Sequence, residues 1–429
     1  MTGRMKGTPR SPRMDESGVT VLADRTLESL LSEARPDIAG ILDGVMTGRE
    51  LSPPDALTLF GAEGPDLQAV LKTADELRRA KNGDVVTFVI VRNINFTNIC
   101  YTGCKFCGFA KRKDDPEAEF LTLDEIARRA EEARQRGATE VCIQGGLFPN
   151  IAGTYYRDIL TAIKTRVPDI HIHAFSPFEI KYGSERMGIP AREFLIMLKD
   201  HGLGTIPGTA AEILDVEIRQ QLTRNKLTAE EWISIVKTAH GLGIRSTSTM
   251  MYGHIDGPEH WVGHLNTLRE IQKETGGFTE FVPLGFIHWD APLYYAGGAR
   301  PGPTRDENLK VHAIARIFLN GWIDNVQVSW VKLGPRLAQY VLKNGGANDF
   351  GGTLMNETIS RSAGAPHGEE VTPLEMCRMI RAIGRTPARR NTLYDILERY
   401  DDHDPPDIPP LVPRTPDQER QLAAVNNGF

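Results

Sequence analysis

The sequence predicts a parallel (β/α)8 barrel of the TIM type, with N-terminal helices and a C-terminal extension. Three observations predict it. Eight short strand-like runs recur along the chain, mostly separated by helical patterns, which is the alternation that builds a parallel sheet. The first run, Val85 to Val91, is continuously apolar and β-branched, as a strand covered on both faces must be. Several helix starts carry a side-chain acceptor followed three residues later by a glutamate: Thr122 with Glu125, Thr228 with Glu231, Thr304 with Glu307 and Thr372 with Glu375.

In chain order, residues 1–20 are polar with Pro and Gly, and are expected to be disordered. Residues 21–84 read as helical, broken at Pro36 and at Pro53–Pro54. Leu67, Val70, Leu71, Ala74 and Leu77 repeat there at helical spacing, and Lys81 to Asp84 ends that helix. Residues 85–400 are assigned to the barrel. After strand one, a helix opens at Thr122 and stops at Gly137. Strand two is Glu140–Ile143 and strand three Ile170–Phe175. A helix from Pro190 to Gly202 leads to a short strand four, Gly204–Ile206. Strands five to seven are Arg245–Met251, Glu280–Phe286 and Val326–Val331. Strand eight, Phe350–Leu354, is glycine-rich. The helix at Thr372 has Pro373 in its first position. Residues 401–429 form a Pro- and Asp-rich tail, extended over the surface or disordered.

Composition narrows the function classes. The chain has 429 residues, 40% hydrophobic content and a formal net charge of −6, which gives no nucleic-acid footprint. Five cysteines, three of them clustered, are not a disulfide framework, and clustered metal-binding thiols suit a reducing cytoplasm. The N-terminus lacks the apolar core of a secretory signal, and no apolar run is long enough to span a bilayer. The expectation is a cytoplasmic protein with no nucleic-acid or membrane partner.

The chemistry concentrates in Asn93 to Ala110, NINFTNICYTGCKFCGFA. Cys100, Cys104 and Cys107 are spaced C-x3-C-x2-C. Thiolates suit iron–sulfur clusters or zinc. Structural zinc needs a fourth ligand, usually from a second Cys/His pair, and no such pair follows. Three ligands on a four-iron cube leave one iron open for chemistry. Three cysteines in eight residues between glycines make poor core material, so buried inert thiols are the weaker alternative. Cys142 has no partner at ligand spacing and reads as a core residue.

Polar and glycine-rich residues follow several strands, at the end where barrel active sites lie. Gly145 and Gly146 allow close backbone approach. Glu212, Arg224, His254, Asp290, Lys332, Asn348 and Asp349 are site candidates, each with an ordinary loop or helix-face role as its alternative. His171 and His173 invite a metal reading, against the commoner hydrogen-bonded core or pocket histidine. Trp289 and Trp330 either stack on a flat ring or fill the barrel mouth.

The cysteine loop, with Phe106 in its aromatic slot, resembles that of the radical S-adenosylmethionine (SAM) enzymes. The resemblance implies a [4Fe-4S] cluster on the three cysteines and SAM as second cofactor. It places the loop after strand two against the methionine amino group, where the usual sequence is Gly-Gly-Glu. Here Leu147 follows Gly145 and Gly146, so recognition would rest on backbone carbonyls. It places Glu212 against the SAM ribose, and Arg224 is a candidate partner of the methionine carboxylate.

Longer stretches narrow the family. EVCIQGG, HAFSPFEI, PGTAAEIL, STSTMMYGH, FTEFVPL, QVSWVKLG and NDFGGTLMNETISRSAGAPHG resemble the tyrosine-using half of FO synthase over residues 55 to 400. That family is the 5-amino-6-(D-ribitylamino)uracil–L-tyrosine 4-hydroxyphenyl transferases. The resemblance implies that a 5′-deoxyadenosyl radical takes hydrogen from tyrosine and the Cα–Cβ bond breaks. The resulting 4-hydroxybenzyl radical then adds to the diaminouracil, giving the precursor of the deazaflavin FO. It implies L-tyrosine and 5-amino-6-(D-ribitylamino)uracil as substrates. The strand-end residues His254, Asp290, Lys332, Asn348 and Asp349 are the substrate-binding candidates. It also implies a second radical SAM subunit and a reductant such as ferredoxin or flavodoxin. Two alternatives stand beside it. One is a menaquinone-pathway enzyme, aminofutalosine synthase or dehypoxanthine futalosine cyclase. The other is a non-catalytic iron–sulfur protein.

Overall fold

The computed structural model describes residues 25–426. The expectation for residues 1–20 lies outside them. The described residues open with four helices, Leu27–Glu33, Pro36–Met46, Pro53–Phe60 and Gly64–Asn82. Pro36 and Pro53 break the pattern because each sits at the start of the next helix, where its missing N–H costs nothing. The fourth helix carries the apolar stripe the sequence shows, packed against the helix Arg305–Phe318. Its Asp75 pairs with Arg78 at 2.7 Å and with Arg385 at 2.9 Å, tying the N-terminal segment to the C-terminal extension.

The predicted first strand divides at Ile90 into β1 (Val85–Val89) and β2 (Val91–Asn95). Then follow β3 (Glu140–Gln144), β4 (His171–Ala174), β5 (Thr205–Ile206), β6 (Arg245–Tyr252) and β7 (Phe278–Gly285). Strands β8 (Asp349–Gly352), β9 (Thr386–Arg390) and β10 (Ile396–Arg399) complete the set. Strands β2 to β7 form a curled parallel sheet in sequence order. Single parallel bridges, Phe281 to Val326 and Gln327 to Asp349, carry the ring on to β8, which pairs with β1. The split at Ile90 lets one extended chain serve two neighbours, β8 below and β3 above, as the stagger of a tilted barrel requires.

Three expectations are corrected. The seventh strand is only the bridges at Val326 and Gln327, and Trp330–Leu333 is a helical turn. Trp330 is fully buried and donates its indole N–H to the Gly352 carbonyl at 2.9 Å, which draws the chain out of the strand. The eighth strand starts one residue early and its ladder ends at Gly352, although the Asn93 N–H still donates to the Leu354 carbonyl at 2.8 Å. The tail is neither wholly extended nor loose. Pro416–Asn426 is a helix that buries Leu422 and Val425 against the helices Pro335–Asn344 and Pro373–Ala382.

Helix starts at Thr228, Thr304 and Thr372 are reciprocal capping boxes as expected. Thr122 makes only half of one, because the Glu125 carboxylate goes to Arg128 and Arg129. Among the described residues no helix is long and apolar enough to cross a membrane.

Candidate active site

The cysteine loop leaves the carboxyl end of β2 and is pinned along its length. Thr97 bridges Phe120, Ile99 bridges Lys111, and the Lys105 N–H donates to the Leu222 carbonyl at 3.0 Å. Cys100, Cys104 and Cys107 are free thiols that line one cavity of about 270 Å³. Phe106, Gly145, Gly146, Glu179, Glu212 and Lys226 line the same cavity. Among the described residues no three His, Cys, Asp or Glu side chains converge on a point suited to a single ion. The three thiols share that cavity, and thiolates at this spacing suit an iron–sulfur cluster. Burial pushes the Cys104 thiol up to about 11 and raises Cys107 as well, so cluster loading must displace their protons.

The two glycines after β3 are sterically required. A Cβ on Gly146 would sit 2.4 Å from the Ile99 carbonyl oxygen and 3.0 Å from the Cys100 Cβ. A Cβ on Gly145 would meet the Phe96 ring at 2.5 Å. The end of β3 therefore lies directly under the cysteine loop, as the resemblance implies.

A carboxylate from another element stands beside these glycines. Glu179, on the helix Pro177–Met187 that follows β4, is 2% exposed and accepts the Gly145 N–H at 3.0 Å. It also accepts the Ser176 N–H and hydroxyl, each at 2.7 Å. It forms no ion pair among the described residues, and burial pushes it up to about 7. That carboxylate stands at this corner beside the backbone carbonyls. Its signal was present in the sequence: Ser176-Pro-Phe-Glu179 is a capping box placed directly after a strand.

Glu212 also faces the cavity, with φ of 43°, and forms a buried ion pair with Lys226. Burial works against its charge, but the Lys226 ammonium outweighs burial and holds the carboxyl below its ordinary value. The Lys226 Nζ lies 5.3 Å from the Phe106 ring centroid, a cation–π contact that reading the sequence missed. Lys332 reaches the opposite wall, where it donates to the Ser360 hydroxyl at 3.1 Å. Burial lowers its pKa, partly opposed by Glu357.

Other candidates are placed outside this cavity. Arg224 is exposed in an outer groove with Lys105 and Thr223. His254 is buried against the Met251 carbonyl and the Ile255 N–H. Asn348 accepts from Arg316 and the Val326 N–H, and Asp349 is held by Arg390 and Thr87. Both lie at the amino end of β8, opposite the cysteine end. Asp290 is exposed and accepts from Tyr295 at 3.1 Å. Trp330 is core and Trp289 is 42% exposed, so neither lines the cavity. His171 and His173 share the Thr205 hydroxyl, at 2.8 and 2.7 Å, and burial lowers them to about 4 and about 3. They are neutral hydrogen-bonding rings. Cys142 is not a core residue, since it faces a second cavity on the barrel axis.

A cysteine loop at the carboxyl end of such a barrel, over paired glycines, defines a class. Residues 94–268 match the radical SAM superfamily, and the chain belongs to it. Residues 275–402 match the CofH/MqnC C-terminal region. Within the superfamily the chain belongs to the family of the Methanocaldococcus jannaschii 5-amino-6-(D-ribitylamino)uracil–L-tyrosine 4-hydroxyphenyl transferase. The two are 52% identical over 353 residues, covering 82% of this chain and 98% of that enzyme. FO synthase of Mycobacterium leprae is 56% identical over 371 residues, covering 86% of this chain and 42% of that protein. The chain thus spans about two fifths of the FO synthases it matches. Among solved structures, methylornithine synthase PylB has a TM-score of 0.65 at 17% identity, covering 81% of this chain and 97% of that one. The maturase HydG from Carboxydothermus hydrogenoformans has a TM-score of 0.66 at 16% identity, covering 89% and 87%. Radical SAM enzymes use a [4Fe-4S] cluster and SAM, and the thiols, glycines and carboxylates of the cavity fit both.

Proposed function

We propose that this enzyme transfers the 4-hydroxybenzyl group of L-tyrosine to 5-amino-6-(D-ribitylamino)uracil, in biosynthesis of the deazaflavin FO. The observation that carries the reading is the M. jannaschii enzyme, which this chain matches over nearly its full length at 52% identity. The FO synthases, more than twice as long as the matched region, support a second radical SAM half on another chain or domain. A cytoplasmic reductant of the ferredoxin or flavodoxin kind completes the system.

When bound, the cluster and SAM supply a 5′-deoxyadenosyl radical that abstracts hydrogen from tyrosine. The protein's part is to position the reactants and exclude water. Cys100, Cys104 and Cys107 hold the cluster. Glu179, beside Gly145, would accept from the SAM amino group, and Glu212, kept ionised by Lys226, would accept from a ribose hydroxyl. Lys332, a cation on the same cavity, would orient the tyrosine carboxylate.

The test is product analysis on anaerobically reconstituted enzyme with SAM and a strong reductant. Turnover is expected only with both substrates present, giving 5′-deoxyadenosine, glyoxylate from 2-iminoacetate, and a hydroxybenzylated uracil adduct. Robust conversion of a futalosine-type substrate, with no such adduct, would replace this reading by the menaquinone-pathway one.

A further inference from the structure

The lumen of a (β/α)8 barrel is ordinarily filled by layers of branched aliphatic side chains. In this chain it is not. A second cavity of about 250 Å³ lies on the barrel axis, joined to the cysteine cavity through a shared wall that includes Gln144, Thr209 and Lys332. Its lining alternates along the strands with period two: Glu140 and Cys142 on β3, Thr247 and Thr249 on β6, Glu280 and Val282 on β7. These are the positions where an ordinary barrel places Val, Ile or Leu. The floor is closed by Arg390 and Thr392 from the C-terminal extension, with Thr392 bonded to Glu140 and Tyr394 to Glu280.

Several polar groups in this cavity have no partner among the described residues. The second ring nitrogen of His173, which is 7% exposed, is one, and the hydroxyl of Ser329, 8% exposed, is another. The Asn93 amide and the Oε1 atoms of Glu140 and Glu280 are likewise open. None of these atoms is sealed off; each opens on the chamber and can pair with whatever fills it. Several such groups on one wall-to-wall surface therefore point to a ligand that satisfies them.

The chemistry of the wall selects that ligand. Three carboxylates, Glu140, Glu280 and Glu357, face two cations, Lys332 and Arg390, and Arg390 is already paired with Asp349, so the chamber does not suit an anion. The open groups come from β2, β3, β4, β7 and the segment after the bridge at Gln327, so the ligand must present hydrogen-bonding groups all round its length. A linear polyol does this. An amino acid with one charged end and an apolar ring does not. We infer that the axial chamber is the binding site of the ribityl chain of 5-amino-6-(D-ribitylamino)uracil. The chain runs down the barrel axis, and the pyrimidine ring sits at the junction with the cysteine cavity.

This assignment rests on the proposed function, and the two fail differently. Anaerobic equilibrium dialysis on reconstituted enzyme would compare three probes: 5-amino-6-(D-ribitylamino)uracil, ribityl-free 5,6-diaminouracil, and L-tyrosine. The variants are Ser329→Ala, which breaks no observed bond, and Glu140→Gln, which keeps an acceptor for Thr392. Each is expected to weaken the ribityl compound roughly tenfold, the effect of one hydrogen bond. Neither should change binding of 5,6-diaminouracil or tyrosine. Equal loss for the ribityl-free compound, or no loss for the ribityl compound in either variant, overturns the chamber assignment alone. Wild-type enzyme that fails to bind the ribityl compound overturns the proposed function and the assignment with it.

Discussion

At the scale of single residues, the three cysteines and the two cavity glutamates are separable by experiment. Cys100→Ala, Cys104→Ala and Cys107→Ala should each abolish full iron loading and SAM cleavage, while Cys142→Ala and Cys377→Ala should keep both. Cys142 faces the axial chamber and Cys377 is core, and neither lines the cysteine cavity. Iron content after anaerobic reconstitution decides it, and a full cluster in Cys104→Ala would mean the site is misassigned. Glu179→Gln preserves the capping-box pattern, since Gln serves at that position, so the helix start should survive. Above pH 7, where Glu179 is ionised, SAM affinity should nonetheless fall roughly tenfold or more, because a hydrogen bond to a charged group is worth about 1.5–3 kcal/mol. Binding of 5′-deoxyadenosine, which lacks the amino group, should not change. Equal weakening of both ligands would point to a general structural defect instead. Glu212 calls for a different substitution. Glu212→Ala would strand the Lys226 charge, at a cost of about 3–5 kcal/mol, so Glu212→Gln isolates the contribution to SAM binding better.

At the scale of elements, what could be read from the sequence was what leaves a local trace. The cysteine loop, the glycines after β3 and three of the four capping boxes are patterns within a few residues, and they appear where the sequence places them. The failures come from long-range contacts. Trp330 pulls residues 330–333 out of a strand by bonding to Gly352, twenty-two positions away. Strand β9, with the sequence TPARR, has no apolar alternation, yet it pairs in parallel with β1 because the chain after Gly384 returns along that edge. Asn348 and Asp349 looked like site residues because they are polar beside glycines. They lie at the wrong end of the strand and anchor Arg316 and Arg390. The polar lumen was visible as period-two Glu, Thr and Gln in strands, but a strand pattern alone does not say which face points inward. One element makes a sharp prediction. Gly146→Ala drives a methyl group into the Ile99 carbonyl and the Cys100 Cβ, and both belong to the loop that holds the cluster. The variant should fold, with unchanged far-ultraviolet circular dichroism, yet load clearly less iron than the parent. Full iron loading would show that the loop yields without moving Cys100.

For the whole molecule, the polar groups buried around the barrel couple its stability to pH, and the couplings oppose one another. Of the histidines that burial lowers, five go furthest: His171, His240 and His312 to about 4, and His173 and His264 to about 3. Each is neutral in the folded protein, while in the unfolded chain it titrates near 6.5. As pH falls below that value the unfolded state gains protons that the folded state refuses, so these groups destabilise the fold in acid. Glu179 and Glu280 act in the opposite sense. Burial raises both to about 7, so between the unfolded carboxylate range near 4.3 and pH 7 the folded state holds the extra proton. Their contribution is lost as pH rises through that window. His254, His288 and His367, also lowered, add to the histidine side, and Glu357 and Glu370, also raised, add to the carboxylate side. Between about pH 4.5 and 6.5 the histidines outnumber the raised carboxylates, so the unfolded state binds more protons on balance. Thermal midpoints of the cluster-free protein should therefore climb steadily from pH 4.5 to 6.5. A flat or falling profile would mean that the histidines are charged in the folded state, and so that the neutral rings assigned to the barrel interior are wrong.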